Sequence, residues 1–462
     1  MAGRERLLVI GGDAAGLSAA SQARRRRDAA DLEIVAFERG RHASYSACGI
    51  PYYVGGVVDG ADRLIARTPA EFAARDIDLR LRTEAVEIDT AGGRVRVRDA
   101  ASGAEAWEPY DHLMVATGAV PVRPPLPGAD AHGVHGVQTL DDGIAIHRAL
   151  EADSPRRAVV VGGGYIGLEM AEAMVMRGLH VALVDAAEQP MTTLDPDMGA
   201  LVADAMRGLG IDLYLGEPVA GFDTDASGRV TAVRTEARTL PADIVVLGLG
   251  VRPGGELARD AGIEVGATGG VVTDRRMRTR TERVWAAGDC VESRHLVSGE
   301  AVAIPLGTHA NKQGRVAGIN LGGGYATFPG VLGTAISKIC RVEVARTGLN
   351  EREAADAGFA ALSVAVESTT RAGYHPDATS MTTKLVVERR SGRLLGAQIV
   401  GEEGAAKRVD GLAVMLWNRM TVEEMTGLDL AYAPPFSPVW DPVLIAARKA
   451  AERVERDMHT LD

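Results

Sequence analysis

Cys48 stands in Ser44-Tyr45-Ser46-Ala47-Cys48-Gly49-Ile50-Pro51, where the thiol precedes a glycine and a proline suited to a first helical turn. The positive end of a helix stabilises a thiolate, so the spacing predicts a lowered thiol pKa and a nucleophile. The other cysteines, Cys290 and Cys340, are expected to be buried and inert, Cys340 within the apolar run AISKIC. No C-x-x-C pair exists, which excludes a metal ribbon and an internal redox dithiol, and no metal site is expected.

Two glycine turns supply a second kind of chemistry. In GGDAAG, Gly11 permits a sharp strand-to-helix turn and Gly16 lets helix and strand approach, so that the first helical N–H groups face a pyrophosphate. Glu38 follows where a carboxylate can hold ribose hydroxyls, but Asp13 occupies the middle glycine position and would repel phosphate unless its side chain turns away. In GGGYIG, Gly162, Gly164 and Gly167 keep full G-x-G-x-x-G register and Asp185 ends the next strand. No Arg or Lys lies between Asp185 and Met198 to neutralise a 2′-phosphate, which favours NADH over NADPH. A lone glycine turn is as well explained by an ordinary strand-to-helix connection; two in tandem, each with its acid, are not.

The elements that must position these residues follow from the patterning. LLVI and AVVV each run into a glycine turn, a helical stretch and a strand ending in an acid, which predicts two βαβ dinucleotide units. Ala116-Thr117-Gly118 and the stretch around Gly250 end two further strands, and the proline-marked crossings after them bracket an inserted domain. The predicted fold is α/β with two Rossmann-like domains and an α+β C-terminal domain. Its expected division is 1–117 with 246–328, 118–245, and 329–462. A net charge of -11 argues against a nucleic-acid partner. Three cysteines in 462 residues suit a reducing compartment, and apolar runs too short for a membrane span predict a cytoplasmic chain with no membrane partner.

The stretch TRTERVWAAGDC resembles the second flavin motif of the pyridine nucleotide-disulfide oxidoreductases. The resemblance implies that Asp289, after Gly288, bonds the FAD ribityl chain, with Thr279 part of the same motif. It makes the first unit the FAD site and the inserted one the NADH site. The Cys48 segment resembles the single-cysteine branch, with Tyr45 for the usual Phe, and its continuation to Gly56 is similar to coenzyme A-disulfide reductases, as is DLAYAPPFSPVWDPV. By that likeness Tyr165 covers the flavin and swings aside for nicotinamide, with Glu169 facing the same region. Arg24, Arg25, Ser44 and Asn311 are expected to contact a coenzyme A-type disulfide. The chain is expected to be a homodimer in which Tyr432 and Tyr374 lie near the partner's cysteine. Ala14 stands where peroxidases and water-forming oxidases of the branch carry histidine, which counts against peroxide chemistry. An NADH oxidase or polysulfide/persulfide reductase using Cys48, a flavin redox-responsive binding protein, and a ferredoxin or rubredoxin reductase stay open as alternatives.

Overall fold

The computed structural model describes residues 3–459. The first sheet is all parallel, in the spatial order Val284–Ala286, His112–Val115, Glu5–Ile10, Leu32–Phe37, Ile77–Arg80. Helix Ala14–Arg24 packs on it, and Ile88, Val95 and Val97 of a three-stranded antiparallel sheet (Thr83–Asp89, Arg94–Asp99, Glu105–Pro109) join its core, so its central strands read as unbroken apolar runs; Leu7, Leu8 and Val9 are wholly buried. Each such side chain contributes about 1.5–3 kcal/mol. The second sheet repeats the design, in the order Asp212–Leu215, His180–Asp185, Arg157–Val161, Ile244–Leu247, Val134–Gly136. Between the two sheets, the crossings Ala119–Pro121 and Val251–Pro253 pair antiparallel, so the chain leaves and returns through one two-stranded ribbon.

The sheet order explains why the sequence closes back on itself. Strand Val284–Ala286, far along the chain, adds to the edge beside His112–Val115 and delivers Gly288 and Asp289 to the carboxyl end of the first sheet. Helix Gly307–Leu321 then packs along helix Ala14–Arg24 at close range. A Cβ on Gly314 would stand 2.2 Å from the Ala15 carbonyl oxygen, and one on Gly318 2.3 Å from that of Ala19. The Ala-rich face of the first helix therefore serves backbone-to-backbone packing.

The C-terminal region is one antiparallel sheet, ordered Ala335–Ile339, Val342–Gly348, Leu394–Gly401, Ser380–Glu388, Ala361–Thr369. Helices Val409–Trp417 and Pro442–His459 bury Leu412, Leu416, Val443 and Ala447 in its core. Its first strand also packs on helix Tyr165–Met176 of the second nucleotide unit, and Ile339 and Val344 join that unit's core.

Candidate active site

Both glycine turns are closed by the same device. Glu38 accepts the N–H of Gly12 at 2.9 Å and of Gly40 at 2.7 Å; Asp185 accepts those of Gly163 at 2.5 Å and Ala187 at 2.9 Å. The carboxylates expected at the strand ends are thus fixed by the backbone of their own turns. Gly11 has φ +112 and Gly162 φ +103, backbone that other residues rarely adopt. A Cβ on Gly16 would stand 2.0 Å from the Gly11 carbonyl oxygen, and one on Gly167 1.9 Å from that of Gly162.

The residues fit the two dinucleotides. A Cβ on Gly164 would meet nothing within 4 Å, so the second turn opens onto free space at the helix N-terminus where a pyrophosphate is held. In the first unit the Asp289 carboxyl is pushed up to about 6 by burial alone, as a carboxylate awaiting a hydrogen-bond donor behaves. Burial, then Glu38, push Asp13 up to about 7. The residue in the middle-glycine position is therefore largely uncharged below that pH, which removes the repulsion its sequence position suggested.

Other expected cofactor residues act through the frame. The Thr117 hydroxyl donates to the Gly254 carbonyl at 2.6 Å, and Gly254 N–H to that of Gly118 at 2.9 Å, joining Ala116-Thr117-Gly118 to the return crossing. Gly250, with φ +83, accepts the Val122 N–H at 2.9 Å. Thr279 donates its hydroxyl to Val284 and Thr281 carbonyls at 2.9 and 3.1 Å, shaping the turn that leads to Asp289. Sequence reading missed Gln313, 2% exposed, which accepts the Gly288 N–H at 2.8 Å and donates to Ser293 at 2.8 Å. No local motif marks it.

Cys48 lies in a single 3-10 turn, Ala47–Gly49, ahead of the five-residue helix Ile50–Val54, and it is exposed. Ser44, with φ +52, donates its N–H to Gly12 and ties this segment to the first glycine turn. The expected lowering of the thiol pKa is corrected: the chain's own groups push it up, through burial first, then Glu169, Asp289 and Asp13. So short a helix offers little dipole to oppose burial and the field of these three carboxyl groups. Glu169, one helical turn after Tyr165, is pushed up to about 7 by burial and accepts the Ser337 hydroxyl at 3.1 Å. Burial raises Tyr165 as well. The thiol thus lies within the electrostatic reach of groups from both nucleotide units. Cys290 is wholly buried, as expected, with its thiol on the Ala287 carbonyl at 3.3 Å. Cys340 departs from expectation: it is half-buried, at φ +49, in the tight turn between strands Ala335–Ile339 and Val342–Gly348.

Arg24 is engaged within the chain. Its guanidinium donates to the carbonyls of Arg27, Leu32 and Asp76 at 2.7–3.0 Å, tying together three chain segments. Arg25 is exposed. Asn311 accepts the Ser18 hydroxyl at 2.9 Å, which places it beside the first helix. Arg315, one turn after Asn311, is exposed on the same helix. Tyr374 and Tyr432 are brought together: Ala372 N–H donates to the Pro434 carbonyl at 3.1 Å, and the Tyr374 phenol raises the Tyr432 pKa by hydrogen bonding. They lie in an exposed apolar patch with Phe436, Val439 and Trp440.

Residues 5–314 match the family model for pyridine nucleotide-disulphide oxidoreductases, and residues 334–442 match the dimerisation domain of that family. The NAD(P)H sulfur oxidoreductase (CoA-dependent) of Pyrococcus abyssi is 39% identical over 96% of this chain and 98% of its own. A solved NAD-dependent persulfide reductase from A. fulgidus superposes with TM-score 0.93 at 39% identity, over 98% of this chain and 84% of that one. The structure of reduced Bacillus anthracis CoADR-RHD gives TM-score 0.94 at 32% identity, over 98% and 81%.

Proposed function

Because the chain belongs to the pyridine nucleotide-disulphide oxidoreductase family, and is thus an FAD- and NAD(P)H-dependent oxidoreductase acting on sulfur, we propose that it reduces coenzyme A disulfide through Cys48. One observation carries this reading: the segment of the exposed Cys48 is bonded to the first glycine turn through the Ser44 N–H and the Gly12 carbonyl at 2.9 Å, and its helix Ile50–Val54 packs on helix Tyr165–Met176, which follows the second.

Gly11, Gly16, Glu38, Thr117 and Asp289 would hold FAD, and Gly162, Gly164, Gly167 and Asp185 the nicotinamide dinucleotide. When bound, FAD supplies acceptance of hydride from NADH and delivery of two electrons to a sulfur–sulfur bond. The Cys48 thiolate attacks one sulfur of the disulfide; the Cys48–S–S–CoA bond forms and one coenzyme A thiolate leaves and takes a proton. Two electrons and one further proton return Cys48 to thiolate and release the second coenzyme A as thiol. Tyr165 covers the nicotinamide side until NADH enters. Tyr432, paired with Tyr374, would donate the proton from the second subunit of a homodimer, with Glu169 a second proton store. Arg25, at the end of the first helix, and Arg315, on the helix packed along it, are exposed cations that would pair with an anionic nucleotide. Since the chain's own groups raise the Cys48 pKa, attack is expected to quicken as pH rises, because the thiolate fraction grows.

The Cys48→Ser variant tests the reading. It is expected to keep FAD and be bleached by NADH, while coenzyme A disulfide turnover falls to background; full turnover would overturn the assignment. The same sulfur could serve a polysulfide or persulfide, as in the persulfide reductase of A. fulgidus by its name, and competition between the two substrates in one assay ranks them.

A further inference from the structure

Three buried polar residues form a row across the C-terminal sheet. Arg346 stands opposite Gln398, and Gln398 opposite Lys384, on three adjacent strands. They are 8%, 1% and 3% exposed. Within a sheet that is otherwise apolar at this level, the row has one partner outside its own domain: the turn that follows Asp185 in the second nucleotide unit.

Every contact is direct. Arg346 Nη1 donates to the Thr193 carbonyl at 2.8 Å, and its Nη2 to Glu353 at 2.7 Å. Asn350 adds a second donor to the Thr193 carbonyl at 3.3 Å. Gln398 Nε2 donates to Asp195 Oδ2 at 2.6 Å, and the Asp195 N–H donates back to Gln398 Oε1 at 2.7 Å. Lys384 Nζ lies 3.1 Å from Asp195, 2.8 Å from Asp197 and 2.9 Å from Glu351. The other Asp195 oxygen accepts the Glu351 N–H at 2.9 Å. At its near end the turn is pinned to the glycine loop, where Met191 N–H donates to the Gly163 carbonyl at 2.8 Å. The buried Thr193 hydroxyl is a neighbour of the Tyr165 phenol and acts to lower its pKa against the push of burial.

A buried charge cluster of this kind adds little net stability over an apolar packing, and its better-attested use is to fix register. We propose that the row Arg346–Gln398–Lys384 is a positioning device for the nicotinamide half of the site, fixing the 193–197 turn and through it the Tyr165 side chain. The proposal rests on the reading of Tyr165 as the nicotinamide gate. It separates the two halves of turnover: loosening the row misplaces nicotinamide and leaves sulfur exchange at Cys48 untouched.

The test uses the FAD-loaded enzyme and three variants. Arg346→Gln is expected to speed amide hydrogen exchange across 191–197 and to slow flavin bleaching by NADH about tenfold. Reoxidation of the reduced enzyme by coenzyme A disulfide should stay within about twofold. Arg346→Lys, which keeps the charge, should recover part of the bleaching rate. Equal slowing of both halves, or unchanged exchange across 191–197, would overturn the proposal. Should Arg346→Gln fail to fold, Thr193→Val removes only the hydroxyl beside Tyr165. Slower bleaching at an unchanged melting temperature supports the proposal, and an unchanged rate contradicts it. Tyr165→Ala isolates the premise: if its bleaching is unaltered, the gate reading fails, while the exchange result still reports on the row.

Discussion

Asp13 carries a measurable consequence of the first glycine turn. Its carboxyl is held near 7 by burial and by Glu38, well above its unfolded value. A carboxyl raised in the folded state contributes stability that is full below its unfolded pKa and is lost as pH rises through 7. Each pH step between the two pKa values removes about 1.4 kcal/mol of it. Asp13→Asn is therefore expected to raise the melting temperature of the flavin-free chain at pH 8 and to change it little at pH 4; an equal change at both would show that Asp13 is not raised. Glu38 and Asp185 were legible in the sequence because each lies within one βαβ unit of the turn it closes. The upward push on Cys48 was not. It depends on Glu169 and Asp289, which folding brings from 121 and 241 residues away, and no local pattern announces that convergence. The backbone contacts of Arg24 were hidden for a related reason, since a run of four arginines does not tell which of them faces backbone carbonyls.

The two glycine-turn helices differ in what a side chain would meet. At Gly164 there is open space, so Gly164→Val is expected to leave the melting temperature nearly unchanged and to raise KM for NADH by about tenfold or more. A melting temperature lowered with KM unmoved would contradict the placement of the dinucleotide there. At Gly314 a Cβ would stand 2.2 Å from the Ala15 carbonyl oxygen. Gly314→Val must part helices Ala14–Arg24 and Gly307–Leu321, at a cost of about 1–3 kcal/mol or more, and should weaken FAD retention, read as flavin released on dilution. Strand-turn-helix units were readable because the change from period 2 to period 3.6 is local. The pairing of Gly314 with Ala15, and the buried Gln313 that holds Gly288, arise from how distant helices dock, which residue order alone does not encode.

The molecule as a whole joins two nucleotide units and a dimerisation domain through shared cores, not flexible links. Ile339 and Val344 of the C-terminal sheet pack in the core of the second nucleotide unit, and the Arg346–Gln398–Lys384 row seals the same boundary. Among the described residues no helix is long and apolar enough to cross a membrane. The exposed apolar residues Tyr374, Tyr432, Phe436, Val439 and Trp440 lie within the matched dimerisation domain, where a partner surface would cover them. Replacing Phe436 and Trp440 together by Asp should give a monomer by light scattering that retains FAD and loses disulfide turnover. A monomer with full turnover would remove Tyr432 from the mechanism.

The claim on which the rest depends is that Cys48 forms the mixed disulfide. NADH-reduced enzyme exposed to coenzyme A disulfide, quenched in acid and mapped by mass spectrometry, is predicted to carry one coenzyme A per chain, on Cys48. Coenzyme A produced at full rate with Cys48 unmodified, or the adduct found on Cys340, would contradict it.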